Sequence, residues 1–254
     1  MSPRRLLTRF LTPVLAAALV LAYGDARPAV APAARSATAA ASVGSASASG
    51  DVDRMVRAEP LDDAMSGRAG VHRLLASEGA GTYVDELLLA RDSVLTRWPG
   101  RMPALHVWVQ PRRDADGGAL PHAQQVRRAF EEWNTVGLPV RFTFAADSGD
   151  ADVTVVWTDR FREPISGRTR WVHDKAGWIL SGSITLALQH SDGEPLDSAA
   201  VHALALHEVG HVIGLDHTRD DANVMAPLVR VRQLSAADAA TARLLYRLPP
   251  GDLR

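Results

Sequence analysis

His207-Glu208-Val209-Gly210-His211-Val212-Ile213-Gly214-Leu215-Asp216-His217 is the stretch from which the rest of the chain is read. Its pattern is H-E-x-x-H-x-x-G-x-x-H. On an α-helix four residues advance about 400°, so His207 and His211 point the same way, one turn apart. Two neutral imidazoles in that relation can share one Zn²⁺ at Zn–N distances of about 2.0–2.1 Å. Continued as helix, the chain would carry His217 about 240° round from His211, away from the metal. It must therefore turn back, and Gly214 stands where a helix-ending left-handed residue is needed. A third imidazole brought round in this way leaves one coordination position open, the mark of catalytic rather than structural zinc.

Glu208 lies beside a ligand but about 100° round the helix, so it flanks the metal instead of binding it. A carboxylate there can take a proton from a metal-activated water and later deliver it to a leaving amine. Val201, Leu204, Ala205, Val209, Val212 and Ile213 make most of this helix apolar, as in a buried helix. Buried imidazoles need partners, and one metal serves all three. His202 is a further 140° or so round the helix and reads as a packed or hydrogen-bonded histidine. Asp216 reads as a turn residue or a group that orients a ligand.

Outward from the motif, Leu105–Val109, Val140–Phe144 and Ala151–Trp157 read as strands, with two more over 168–173 and 177–188. Ala123–Val136 reads as a helix with Val126, Ala129, Phe130 and Trp133 on one face, opened by Pro121 and ended by Gly137. Asp197-Ser198 is a plausible cap for the long histidine-bearing helix. At the other end, Arg4, Arg5 and Arg9 precede an apolar run from Phe10 to Tyr23, followed by small residues. Residues 1–26 therefore read as a secretory signal peptide, with an uncleaved anchor as the alternative; the run is short for a span of about 20 residues. Residues 27–50 are nearly all Ala, Ser, Pro, Gly, Val and Thr and read as a disordered linker. Residues 51–99 are helical in patches broken by Gly67, Gly70, Gly79 and Gly81, a helical N-terminal extension or a propeptide. The catalytic domain is expected over 100–254. The 254 residues contain no cysteine, so neither a disulfide nor a lipidated cysteine is available. With 28 basic and 29 acidic residues there is no basic stripe of the kind that binds nucleic acid.

The extended motif resembles that of the metzincin metalloproteases, and finer detail is similar to the matrixins. Thr218 follows the third histidine. Asn223-Val224-Met225-Ala226-Pro227 is similar to the family's Met-turn, whose methionine packs under the histidines. Leu234-Ser235-Ala236-Ala237-Asp238, leading to Leu244-Leu245-Tyr246, is similar to its closing helix. The resemblance implies an α/β (α+β) zincin-like fold: a twisted, mixed, mostly parallel sheet with a central zinc-binding helix and a small C-terminal lobe. It also implies a substrate laid along the strand before the zinc helix, here Ser183, Ile184, Thr185 and Leu186, taken as an edge. Animal matrixins bind further metals through a loop rich in His, Asp and Gly. In this chain His173, Asp174 and His190 do not match that spacing and read as a solvated turn. One catalytic zinc is expected and calcium is left open. Matrixin propeptides often block the metal with a cysteine, so latency here works through another ligand or does not exist.

The function expected is a secreted, extracellular or periplasmic, zinc metalloendopeptidase. His207, His211 and His217 would be its ligands, Glu208 its proton shuttle and Met225 the base beneath them. Its partner would be a protein or peptide substrate, with no nucleic acid and no stable membrane span after signal cleavage. No repeat or heptad pattern points to an oligomer, so a monomer is expected. A nucleophilic mechanism is disfavoured: Ser181 and Ser183 have no evident histidine–aspartate arrangement. Two alternatives stay open, a zinc amidase acting on cell-wall peptide crosslinks and a non-catalytic zinc-binding relative.

Overall fold

A computed structural model of the chain describes residues 67–100, 104–112 and 121–254. The expected signal, the linker and the start of the N-terminal extension lie outside these residues. No helix among the described residues is long and apolar enough to cross a membrane.

Helix α1 (Arg68–Glu78) and helix α2 (Val84–Ala90) come first, followed by the short strand β1 (Val94–Leu95). Gly79 ends α1, whereas Gly70, read as a breaker, sits buried inside it. Strand β2 (Leu105–Val109) leads to helix α3 (His122–Asn134) and strand β3 (Phe142–Phe144). The apolar stripe Val126, Ala129, Phe130 and Trp133 is the buried face of α3, and Pro121 occupies its N-cap position. Asn134 ties the end of α3 to β3: its side-chain amide donates to the carbonyl of Phe142 (2.9 Å) and accepts from the same residue's N–H (2.8 Å). Strands β4 (Val153–Thr158), β5 (Gly167–His173) and β6 (Ile179–Ala187) follow, then helices α4 (Ser198–Val212) and α5 (Ala236–Arg247) and strand β7 (Gly251–Asp252).

The main sheet has the order β3-β2-β4-β6-β5. β2 pairs in parallel with β3 and β4, β4 in parallel with β6, and β5 alone is antiparallel. Leu105, Val107 and Val109 of β2, Val153 and Val155 of β4, and Ile184 and Leu186 of β6 are all buried. Such alternation puts one face of each strand on the core, and the core is closed by α3 and α4. The indole of Trp133 on α3 donates to the Leu206 carbonyl of α4 (2.9 Å).

One expectation is corrected. Ser183, Ile184, Thr185 and Leu186 are not on an edge. β6 is hydrogen-bonded on both flanks: Ile184 stands opposite Val155 of β4 on one side and Thr169 of β5 on the other. The reason is the β5–β6 hairpin, which folds β5 back along the outside of β6. Among the described residues β5 and β3 are the two edge strands of this sheet, and β5 is the one beside β6.

Two caps fix the ends of the functional elements. Asp197 accepts from the Ala200 N–H at the start of α4 (2.6 Å). A capping box opens α5, with Ser235 and Asp238 each accepting the other's N–H at 2.9 Å. β1, after the first two helices, pairs antiparallel with β7 near the end of the chain.

Candidate metal centre and catalytic cleft

Helix α4 is buried over most of its length because its residues are apolar nearly all round, and it carries His207, Glu208 and His211 on its inner turns. It ends as a glycine-terminated helix should. Gly214 has φ +106°, its N–H bonds the His211 carbonyl (3.0 Å), and the Leu215 N–H bonds the Gly210 carbonyl (2.9 Å). These are the two hydrogen bonds of a Schellman motif. The reversal swings His217 back over the helix. Asp216 steadies it, with its Oδ1 accepting the His217 N–H at 2.7 Å.

The three imidazoles converge. Nε2 of His207 lies 3.1 Å from that of His211 and 3.2 Å from that of His217, and the last two are 3.2 Å apart. Tetrahedral zinc with Zn–N bonds of about 2.0–2.1 Å needs nitrogens ~3.3 Å apart, so this triangle fits the ion. The ring tautomers fit too. Nδ1 of His207 meets the Val224 carbonyl at 2.7 Å and Nδ1 of His211 meets the Leu215 carbonyl at 3.0 Å. A carbonyl only accepts, so each Nδ1 carries the proton and each Nε2 turns a bare lone pair to the centre. Burial pushes the His207 imidazolium down to about 4, with His217 nearby adding to the effect. Burial and then the two neighbouring histidines push His211 well down, and burial lowers His217. Neutral imidazoles facing one another with lone pairs inward are a donor set for a divalent cation. They are the one group of three such side chains among the described residues whose ligand atoms gather in this way.

Glu208 is buried beside this centre, and burial lifts its carboxyl to about 7 against the opposing pull of Thr169 and Arg168. The Thr169 hydroxyl donates to Glu208 Oε2 at 2.6 Å. Gly167, two residues earlier on β5, leaves the space: a Cβ there would collide with the carboxylate. The edge strand thus runs directly over the glutamate. A cleft of about 290 Å³ opens here, lined by His207 and Glu208 together with Leu204, Leu228 and Val231 among others.

Met225 is fully buried, and a Cβ on Gly210 would strike its sulfur. The turn that carries it also supplies the Val224 carbonyl to His207, while Asp238 of α5 accepts the Val224 N–H (3.0 Å). His202 stays apart from the metal set, with Nε2 2.9 Å from Glu132 and Nδ1 3.2 Å from the Gln125 carbonyl. Asp174 acts as a turn residue, its Oδ1 accepting the N–H groups of Ala176 and Trp178 (both 2.9 Å). Thr169, Gly167 and Arg91, whose guanidinium bonds Asp216 (2.9 Å), escaped the sequence reading. Their partners are far off in the chain, and nothing in the local pattern around them points across that distance.

The family model of the matrixins, a peptidase family, matches residues 113–247. The chain is also 23% identical over 215 residues to Metalloendoproteinase 1 of Glycine max; the match takes in 75% of this chain and 66% of that protein, just under two thirds of its length. The helix-bearing, mostly parallel sheet described above agrees with the matrixin zincin-like fold. Because the family model covers more than half of the chain, and does so around the three convergent histidines, the protein belongs to the matrixin family.

Proposed function

We propose that the protein is a zinc-dependent endopeptidase, exported by its N-terminal segment, that cleaves peptide bonds by activating water. The observation that carries this is the triangle of Nε2 atoms, 3.1–3.2 Å on a side, beside the buried carboxyl of Glu208. Zinc in that triangle would supply the Lewis acidity that makes a water nucleophilic near neutral pH and steadies negative charge on a carbonyl oxygen. The protein's own groups do the rest. His207 and His211 keep their protons on Nδ1, held there by the Val224 and Leu215 carbonyls. Glu208, buried beside the triangle, accepts the proton of the attacking water and returns it to the departing amine nitrogen. Thr169 fixes one carboxylate oxygen so that the shuttle does not swing away. An extended peptide would lie along the free edge of β5, where main-chain hydrogen bonds hold it without reading much side-chain sequence.

The test offers purified protein casein, a mixed peptide library and murein side by side, with and without a chelator. Chelator-sensitive cleavage of casein and peptides is expected. Hydrolysis confined to murein would favour the cell-wall amidase, and no hydrolysis by zinc-loaded protein would favour the binding relative.

A further inference from the structure

We propose that Arg91 is a positioning residue of the metal site, and that residues 67–97 are a retained part of the catalytic unit, not a segment to be shed. This rests on the reading of the three histidines as a zinc site. Arg91 lies just beyond α2, outside the stretch matched by the family model. Its side chain nonetheless lies against the histidine-bearing turn, 9% exposed against 4% for its partner Asp216.

All three nitrogens of that guanidinium donate. Nε bonds Asp216 Oδ2 at 2.9 Å. Nη1 bonds the Gly214 carbonyl and the Thr96 hydroxyl, both at 3.0 Å, and Nη2 bonds the Leu215 carbonyl at 3.0 Å. Residues 214–216 are the turn that separates ligand His211 from ligand His217. Two of these contacts reach a ligand through a single further bond. Asp216 accepts the His217 N–H (2.7 Å), and the Leu215 carbonyl accepts from His211 Nδ1 (3.0 Å). Arg91 also lies over the ring of Trp171 at 5.4 Å, and that indole donates to the His211 carbonyl (3.2 Å). One side chain therefore braces both the ring of His211 and the backbone that carries His217. A planar fork of five donors suits this task and a lysine ammonium does not. A cation at the C-terminal end of α4 also faces the negative end of the helix dipole.

Helix α2 also holds the chain just after His217. Glu86 Oε2 accepts the Arg219 N–H (2.8 Å), and its Oε1 accepts from the Thr218 hydroxyl (3.4 Å). The helix is itself pinned to the body of the domain. Val84 and Leu87 are buried, the Tyr83 hydroxyl donates to Asp238 (2.9 Å), and β1 pairs with β7. A cut between Arg91 and Trp98 would detach this clamp from both flanks of a ligand. An activation scheme that discards the segment would discard the support of the metal.

The test uses the full chain stripped of metal and titrated with Zn²⁺ against a chromophoric chelator. The visible spectrum of the Co²⁺-loaded protein reports ligand geometry. Arg91→Lys, folded by circular dichroism, is expected to bind zinc roughly 10–100-fold more weakly, the usual effect of losing a group that orients a ligand, and to shift the cobalt bands. Arg91→Ala is expected to do no better. Val107→Ala opens the core at β2, a strand outside both the 67–97 segment and the turn 214–217. It is expected to lower the melting temperature yet keep wild-type zinc affinity and cobalt spectrum. Mass spectrometry of the active species should find residues 67–97 present. Wild-type affinity and spectrum in Arg91→Lys would overturn the proposal. So would an equal loss in Val107→Ala, which would reduce the Arg91 effect to general stability, or an active species that begins after Trp98. Wild-type protein that binds neither Zn²⁺ nor Co²⁺ would instead remove the zinc reading beneath it.

Discussion

Glu208 carries an uncommon burden for a carboxylate: it is buried, and one hydroxyl, that of Thr169, bonds its side chain at 2.6 Å. Its carboxyl is lifted from 4.5 to about 7. The sign of the consequence is fixed by linkage. Below pH 4.5 the group is protonated in folded and unfolded chains alike and costs nothing. As pH rises from 4.5 to 7 the unfolded chain releases the proton while the folded chain retains it, so stability falls. Above 7 the full penalty is present, on the order of 3 kcal/mol. Glu208→Gln has no such proton to lose. Denaturant unfolding of the metal-free proteins should show the variant gaining on wild type by about that amount between pH 4.5 and 8, with little difference at pH 4. A pH-independent difference would contradict the burial of a titrating carboxyl. Residues such as Glu208 and the histidines were legible in the sequence because a helix turns local spacing into spatial convergence. Thr169 was not. It meets Glu208 across 39 positions of chain, and Arg91 meets Asp216 across 125. A threonine in an alternating strand, or an arginine after a helix, looks the same with or without such a partner.

At the scale of elements, the end of α4 matters as much as its body. Gly214 combines φ +106° with a near approach to the Thr96 carbonyl, which a Cβ would strike. Gly214→Ala therefore suffers twice, from the left-handed backbone and from backbone crowding. It should lose about 2 kcal/mol or more by denaturant titration, and weaken zinc binding because the same turn carries His217. A variant with unchanged stability and zinc affinity would mean that the turn has another way to close. This turn could be foreseen, since the third histidine is misplaced without it. The sheet order could not. Alternation along 177–188 says which side chains face the core, but nothing about which strand lies alongside. Ser183 to Leu186 were recognisable as strand, and the hairpin that brings β5 to their outer side made them interior.

For the whole molecule, a chain without cysteine has no disulfide to add to its core and helix caps, and under the proposed function a bound metal would add to them. A bound ion adds stability by mass action, because the unfolded chain holds no assembled triangle. Chelation should lower the melting temperature, and added zinc should restore it; a melting temperature indifferent to both would argue against a metal coupled to the fold. The family match begins at residue 113, yet the described fold reaches back to Gly67 and closes on itself through β1 and β7. Composition marked 51–99 as a separate helical stretch, and only tertiary contacts such as Arg91 with Asp216 tie it to the site. The decisive experiment sets zinc content beside peptide turnover for wild type and Glu208→Gln. About one zinc per chain in both, with turnover in the variant down by at least ~100-fold, is the outcome expected. A variant as active as wild type, or wild-type protein that hydrolyses peptides without any metal, would contradict it.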